Sequence, residues 1–205
     1  MTRPTVQFLY DFGSPNAYLS HRVIPQIEAR TGVQFTYVPV LLGGLFKLAN
    51  NRSPVEAFAG VPNKLAYERL EMQRFIARHG LSAYRHNPNF PVNTLQIMRG
   101  AASAALDGEL SAYNETMFKA MWEQGLKMDD ASVIRTALDA AGLDGARFLE
   151  RTQDAAVKAL LLANTQQAYE RGAFGSPSFL VGEQLYFGKD KLAEVEREIT
   201  EALKA

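Results

Sequence analysis

The two ends of the chain carry short apolar runs that predict β-strands. Residues 6–10 and 33–40 form two such runs, and residues 178–181 and 184–187 form a pair joined by a Gly-Glu turn. Short runs rich in β-branched and aromatic side chains, bounded by glycine or proline, are typical of buried strands. The pattern therefore predicts two strands near the start of the chain and a hairpin near its end.

Elsewhere the apolar residues recur every three to four positions, which predicts helices. The first helix has Ser14 as N-cap and Pro15 as its first residue, and Gly32 ends it. A nearly all-helical stretch follows, and then a closing helix, with helices expected over residues 63–79, 92–106, 111–123, 131–140, 153–169 and 189–203. This order predicts an α/β fold made of one domain, residues 1–44 plus 172–205, and an inserted helical domain, residues 45–171.

Composition narrows the possible functions. The chain has 205 residues, its 22 lysines and arginines balance 22 aspartates and glutamates, and it contains no cysteine. Balanced charge gives no electrostatic case for binding nucleic acid or an anionic membrane. Without cysteine, a disulfide scaffold, a thiolate metal site and a dithiol redox centre are excluded. The three histidines are scattered, so no metal site is expected, and the absence of a signal-peptide or membrane-span pattern predicts a cytoplasmic protein.

Two proline motifs are the strongest candidates for a functional site. Ser14-Pro15 opens the first helix, and Ser176-Pro177 precedes the third predicted strand. Ser14 can be a plain N-cap, or its hydroxyl can also contact a ligand. As a nucleophile it would need a base, and His21 lies roughly 10 Å further along the helix at 1.5 Å per residue. A serine-hydrolase mechanism is therefore disfavoured.

Other polar residues allow both an ordinary and a functional interpretation. Lys64 near a helix start can be a solvated surface residue, and Asp190 in the first turn of the last helix is favoured there by the helix dipole. Asn51 can be a turn residue. The segment 87–94, with two prolines and three asparagines, can be a plain irregular loop. These residues alone do not decide between the two interpretations.

Seven motifs in order suggest a family: residues 8–15, 43–47, 51–54, 62–64, 87–94, 172–178 and 187–190. Together they resemble the DsbA-like branch of the thioredoxin superfamily, and within it the 2-hydroxychromene-2-carboxylate isomerases and the kappa-class glutathione transferases. The resemblance implies a thioredoxin-like core, residues 1–44 plus 172–205, with a large all-helical insertion. Where redox members of this fold carry Cys-x-x-Cys, this chain has Ser14-Pro15-Asn16-Ala17.

The resemblance also implies a glutathione site. Ser14 would lie beside the glutathione sulfur, and Pro177 would be cis, so that the backbone of Ser176 pairs with the glutathione cysteine. The remaining residues would bind the ends of the tripeptide or line the substrate pocket: Asn51, Lys64, Gly188, Lys189 and Asp190 for glutathione, Asn87 and Phe90 for the organic substrate. Serine at position 176 departs from the larger apolar residue that is frequent in relatives.

The function implied is a glutathione-dependent isomerase of 2-hydroxychromene-2-carboxylate or a related aromatic-degradation intermediate. Thiolate addition, ring opening, cis/trans rotation and thiol expulsion would make glutathione a cofactor. Two alternatives remain: a kappa-class-like glutathione transferase or peroxidase, and a non-catalytic thioredoxin-fold module that binds peptides. The expected partners are a small aromatic substrate and, by the same resemblance, a second copy of the chain in a homodimer.

Overall fold

A four-stranded mixed sheet forms the centre of the protein. The computed structural model describes residues 3–204. The strands are β1, Val6–Tyr10; β2, Phe35–Pro39; β3, Ser178–Val181; and β4, Gln184–Phe187, and their order in the sheet is β2-β1-β3-β4. β1 pairs with β2 in parallel and with β3 antiparallel, and β3 pairs antiparallel with β4. The first and last parts of the chain therefore share one sheet, as predicted.

Helices make up most of the remainder. Their bounds are α1, Pro15–Thr31; α2, Leu42–Leu48; α3, Pro54–Ala57; α4, Pro62–His79; α5, Leu95–Asp107; α6, Leu110–Trp122; α7, Ala131–Ala140; α8, Gly145–Arg151; α9, Ala155–Glu170; and α10, Leu192–Ala202, with a 3-10 turn at Lys189–Lys191 before α10. None of those helices combines the length and the apolar character needed to cross a bilayer.

The sequence pattern predicted the strands and most helices, and the differences have local causes. The short helices α2 and α8 were not predicted separately, because a helix of seven residues shows too little periodicity. Helix α5 begins at Leu95 and not at residue 92. The side chain of Asn93 accepts the N–H of Leu95 at 3.0 Å, and such a local bond from a side chain to the backbone competes with helix formation at residues 92–94.

One large hydrophobic core joins the sheet to the inserted helices. Phe8 and Tyr10 of β1 pack in it with Phe118 and Trp122 of α6, all almost fully buried. Burying one such side chain contributes about 1.5–3 kcal/mol. The predicted domain boundaries remain a prediction. Helix α2 starts just before residue 45, and Met1, Thr2 and Ala205 lie outside the described residues.

Candidate active site

Ser14 caps the helix that begins beside the sheet. It follows β1 in an extended conformation, and its Oγ accepts the N–H of Ala17 at 3.2 Å. Pro15 is the first helical residue, where the missing N–H removes no hydrogen bond. Ser14 is 5% exposed. The predicted cap is confirmed, and the hydroxyl stands at the positive end of a 17-residue helix.

The loop before β3 meets this helix end. The Ser14 hydroxyl donates to the carbonyl oxygen of Ser176 at 2.9 Å, and the Oγ of Ser176 accepts the N–H of Asp11 at 3.1 Å. The Ser176–Pro177 peptide bond is cis. Among the described residues, no acceptor bonds the N–H of Ser176. The structure thus brings Ser14, Ser176 and Pro177 together, with one free backbone donor.

The turn after β4 adjoins the same loop. The N–H of Gly188 donates to the carbonyl of Pro177 at 2.9 Å, and the φ of Gly188 is +94°, a conformation that favours glycine. Lys189 is 4% exposed, and its Nζ donates to both carboxylate oxygens of Asp190 at 2.8 and 2.7 Å. The Asp190 side chain remains 63% exposed. Asp190 therefore faces solvent, whereas the Lys189 ammonium is enclosed and already bonded.

The Lys189 ammonium also contacts the insertion. It lies 5.1 Å from the centre of the Phe75 ring, and Phe75 is the buried residue of helix α4. A cation over an aromatic face is attracted by the ring quadrupole, more strongly when it is desolvated. This contact fixes α4 against the turn that carries Asp190.

Asn51 and Lys64 have different relations to this cluster. The Asn51 amide donates to the carbonyl of Phe174, two residues before Ser176, at 3.0 Å. Lys64 is paired with Glu68 at 2.6 Å and lies 5.5 Å from the Phe58 ring centre. The hydrogen bond to Glu68 raises the pKa of Lys64. Asn51 therefore joins the Ser176 loop, while the Lys64 ammonium is bonded within the insertion.

The predicted substrate residues, Asn87 and Phe90, lie in the loop before α5. Asn87 is 1% exposed, and its amide donates to the carbonyls of Met121 and Leu126 at 3.0 and 2.8 Å. Its Oδ1 accepts the N–H of Asn89 at 2.8 Å. The placement of Asn87 therefore disagrees with the predicted pocket-lining role, because each polar atom of the side chain is bonded within the fold.

Phe90, by contrast, is 36% exposed and stands over buried Trp122, with 5.9 Å between ring centres. The Trp122 indole N–H donates to the carbonyl of Phe12 at 2.7 Å, two residues before Ser14. His86 lies beside Phe90, 5.5 Å between ring centres. The structure thus presents an aromatic surface next to the Ser14 turn.

Two polar residues of the turn were missed by sequence reasoning. Asp11 is fully buried at the end of β1, in the turn that leads to Ser14, and burial raises the pKa of its carboxyl. Asn16, in the first turn of α1, has a buried Oδ1 without a hydrogen-bond partner in the described part of the chain. The only available signal was their position within a motif that also contains Ser14. The pattern of apolar and polar positions does not distinguish a buried aspartate from an exposed one in a turn.

One cavity lies apart from this cluster. It has a volume of about 340 Å³ at the start of α5, and none of its lining residues belongs to the Ser14 and Ser176 cluster: Asn93, Leu95, Gln96, Arg99, Asp129, Thr152 and Gln153. Within residues 3–204, no three histidine, aspartate or glutamate side chains are grouped to hold a metal ion.

Comparison with known protein families shows to which family the chain belongs. The family model for the DSBA-like thioredoxin domain matches residues 5–200. The chain belongs to this family. Two similar curated proteins are the 2-hydroxychromene-2-carboxylate isomerases of Sphingobium xenophagum and Pseudomonas putida, each 25% identical. The alignments cover 92% and 93% of this chain, and 94% and 92% of those proteins.

Solved structures of DSBA-like proteins show the same fold. A 2-hydroxychromene-2-carboxylate isomerase superposes with a TM-score of 0.84 at 24% identity, covering 98% of this chain and 96% of that one. A probable DsbA oxidoreductase from Streptomyces coelicolor has a TM-score of 0.69 at 21% identity, with coverage of 98% and 90%. The DsbA-like α/β fold with a helical insertion is confirmed.

Proposed function

We propose that this chain is a glutathione-dependent isomerase acting on 2-hydroxychromene-2-carboxylate or a related aromatic-degradation intermediate. The names of the similar curated proteins support the reaction class. The lack of cysteine supports an external thiol, because a thiolate formed in this fold must come from a ligand. In a non-catalytic peptide-binding module the Ser14 hydroxyl would serve only as the helix cap.

The observation that carries the proposal is the Ser14 hydroxyl at the N-terminus of α1, 2.9 Å from the backbone of Ser176. A free thiol has a pKa of about 8.5, so only a small fraction is ionised at neutral pH. A hydrogen bond to a charged group contributes about 1.5–3 kcal/mol, or about one to two pKa units. The helix dipole acts in the same direction. Both favour a thiolate at this position.

The backbone of Ser176 suits an extended tripeptide. Its N–H is free among the described residues, and its carbonyl accepts only the Ser14 hydroxyl there. A ligand backbone paired with Ser176 would accept from this N–H and donate to this carbonyl, as a strand does at a sheet edge. The Ser14 hydroxyl could then turn its proton towards the ligand sulfur without leaving the carbonyl unbonded. The residues present therefore fit glutathione.

The ends of the tripeptide would be held by charged and amide groups on both sides of the loop. The exposed carboxylate of Asp190 would bind the γ-glutamyl ammonium, with Gly188 forming the turn beneath it. The ammonium of Lys189 would orient Asp190 through the observed bonds of 2.8 and 2.7 Å. Asn51 and Lys64 would bind from the insertion, Lys64 after exchanging Glu68 for a ligand carboxylate. Phe90 would contact the aromatic substrate.

When bound, glutathione would supply the nucleophilic sulfur that adds to the substrate, allows ring opening and rotation, and is then expelled. The chain's own residues hold and orient the reactants. Ser14 donates to the developing anion, and Phe90 with its aromatic neighbours shields the site from water. Preorganised donors of this kind act more strongly in a site from which water is excluded.

Calorimetric titration of glutathione into the purified protein, in two buffers of different ionisation enthalpy, tests the proposal. We expect binding with net proton release near neutral pH, and conversion of a chromene carboxylate with free glutathione unchanged. Accumulation of a glutathione conjugate or of oxidised glutathione would favour a transferase or peroxidase. Absence of binding would leave a thioredoxin-fold module for another ligand. Cytoplasmic location and a homodimer, drawn from the sequence and the family resemblance, belong to the same proposal.

A further inference from the structure

Asp11 is a buried carboxylate to which neither the motifs nor the proposed function gives a role. It directly follows β1 and is 0% exposed. Its Oδ1 accepts the N–H of Gly13 at 2.8 Å, and its Oδ2 accepts the N–H of Leu42 at 2.8 Å. Burial raises the pKa of the carboxyl group, and the nearby N–H groups and the Thr94 hydroxyl oppose that rise. The carboxyl group is therefore bonded by neutral backbone donors, with no cationic partner among them.

The two N–H donors and the neighbouring Thr94 belong to three separate parts of the fold. Gly13 precedes Ser14 in the turn, Leu42 is the first residue of α2, and Thr94 precedes α5. The carboxyl group of Asp11 thus bonds the Ser14 turn to α2, and the same turn packs against Thr94 at the start of α5.

The packing around this carboxylate is tight. A Cβ added to Gly13 would lie 3.1 Å from Thr94 Cγ2 and 3.3 Å from Asp11 Oδ1. Such contacts leave the turn little room to shift towards α5. A change in the Asp11 side chain is therefore transmitted to the backbone that carries Ser14.

The backbone of Asp11 completes a closed set of hydrogen bonds with the two serines. The carbonyl of Asp11 accepts the N–H of Ser14 at 3.0 Å, and its N–H donates to the Oγ of Ser176 at 3.1 Å. The Ser14 hydroxyl closes the ring on the carbonyl of Ser176 at 2.9 Å. Each member of the ring restrains the others.

We propose that Asp11 is a positioning residue that sets the direction of the Ser14 hydroxyl at the ligand sulfur, by tying the Ser14 turn to α2, α5 and Ser176. The proposal rests on the proposed function, because it assumes a sulfur beside Ser14. The role depends on geometry and not on charge, since both carboxyl oxygens accept backbone N–H groups.

A double-mutant cycle of Asp11→Asn and Ser14→Ala tests the proposal, with the pKa of bound glutathione, followed by thiolate absorbance, as readout. Asparagine keeps the shape of the aspartate side chain, but its NH₂ group then faces the N–H of either Gly13 or Leu42 and cannot accept from it. If Asp11 acts through Ser14, the pKa shift caused by Ser14→Ala falls to less than half when it is measured in the Asp11→Asn variant. An undiminished shift would overturn the proposal. Asp144→Asn, at the N-cap of α8, is the matched control and leaves the shift unchanged.

A milder variant covers the case in which Asp11→Asn does not fold. Thr94→Val removes the hydroxyl next to the Asp11 carboxyl group with little change in volume, and the same reduction in the Ser14→Ala shift is expected, smaller in size. Additive shifts in the Thr94→Val variant would again overturn the proposal. Substrate kinetics should show a fall in kcat with little change in glutathione affinity.

Failure of the proposed function gives a different result. If the wild-type protein binds no glutathione, the function fails, and the coupling is then measured in urea unfolding of the same four proteins. Non-additive shifts of the unfolding midpoint would then show only that Asp11 restrains the Ser14 turn in the free protein, and additive shifts would reject that restraint as well.

Discussion

Replacing Ser14 by alanine separates the two roles of its hydroxyl. In the structure the Oγ accepts from the N–H of Ala17 and donates to the carbonyl of Ser176. Loss of an N-cap costs about 1 kcal/mol, and loss of an ordinary buried hydrogen bond costs about 1 kcal/mol. We therefore expect Ser14→Ala to lower the free energy of unfolding by about 2 kcal/mol, measured by urea denaturation.

The second effect concerns the bound thiol. If the hydroxyl donates to the thiolate, its removal raises the pKa of bound glutathione by about one to two units. The rise in pKa should be near one unit if the ligand offers no donor to the Ser176 carbonyl, because the Ser14 hydroxyl then stays partly bonded to that carbonyl. Because the proposed reaction needs the thiolate, the acid limb of the pH–rate profile should move to higher pH by the same amount. Glutathione affinity should remain largely intact, since the tripeptide keeps its other contacts.

The matched control is Asp144→Ala, which removes the N-cap bond to Arg147 N–H on α8. It should lower the unfolding free energy by about 1 kcal/mol and leave the pKa of bound glutathione unchanged. The reasoning would be refuted if Ser14→Ala destabilised the fold but left the thiolate titration in place. Ser14 would then be a helix cap alone.

Individual contacts give three further predictions. Asp190→Asn should weaken glutathione binding about 10- to 100-fold by calorimetry, the equivalent of one charge-assisted hydrogen bond, and an unchanged affinity would exclude Asp190 from the site. Asn16→Leu removes an unpartnered buried Oδ1, so the thermal midpoint should not fall; a clear loss would reveal a hidden partner. Bonds from His21 and Arg22 lower the pKa of Glu115 from 4.5 to about 2. Glu115→Gln should therefore lose less unfolding free energy than the wild type as the pH falls from about 4.5 to about 2. An equal dependence of unfolding free energy on pH in both proteins would contradict the shift.

The sign of the Glu115 prediction follows from linkage. A carboxyl group whose pKa is depressed on folding stabilises the protein above its unfolded pKa, and this contribution disappears as pH falls towards the folded pKa. The Glu115 side chain is 53% exposed, so solvent screening keeps the effect small. Urea titrations at several pH values, wild type against Glu115→Gln, measure the difference directly.

Local signals explain what the sequence could predict of the fold. β1 and β3 are short buried runs, a Gly-Glu turn joins β3 to the more exposed β4, and the first helix is marked by Ser14, Pro15 and Gly32. Each of these signals lies within a few residues of the element it defines. Helix α8 was not predicted, because its seven residues are too few to show a helical periodicity of apolar positions.

The missed parts of the site depend on distant contacts. Asp11 bonds Leu42, 31 residues away, and Ser176, 165 residues away. Asn87 resembled a loop residue open to substrate, yet its amide bonds carbonyls more than 30 residues further on. Polar residues carry no periodicity that shows whether their partner is solvent, ligand or backbone. Only the folded arrangement distinguishes these cases.

The exchange of cysteine for serine at the helix start changes what the same architecture can do. A cysteine there supplies its own thiolate, whose pKa the helix end lowers, and can form a disulfide. Serine cannot ionise at neutral pH, but its hydroxyl donates to an anion in the same place. Under the proposed function, the helix dipole and the Ser176 backbone would act on a sulfur brought by a ligand, and the sulfur would leave with that ligand. A fold that favours a thiolate would thus support thiol addition and expulsion without forming a covalent bond to the protein.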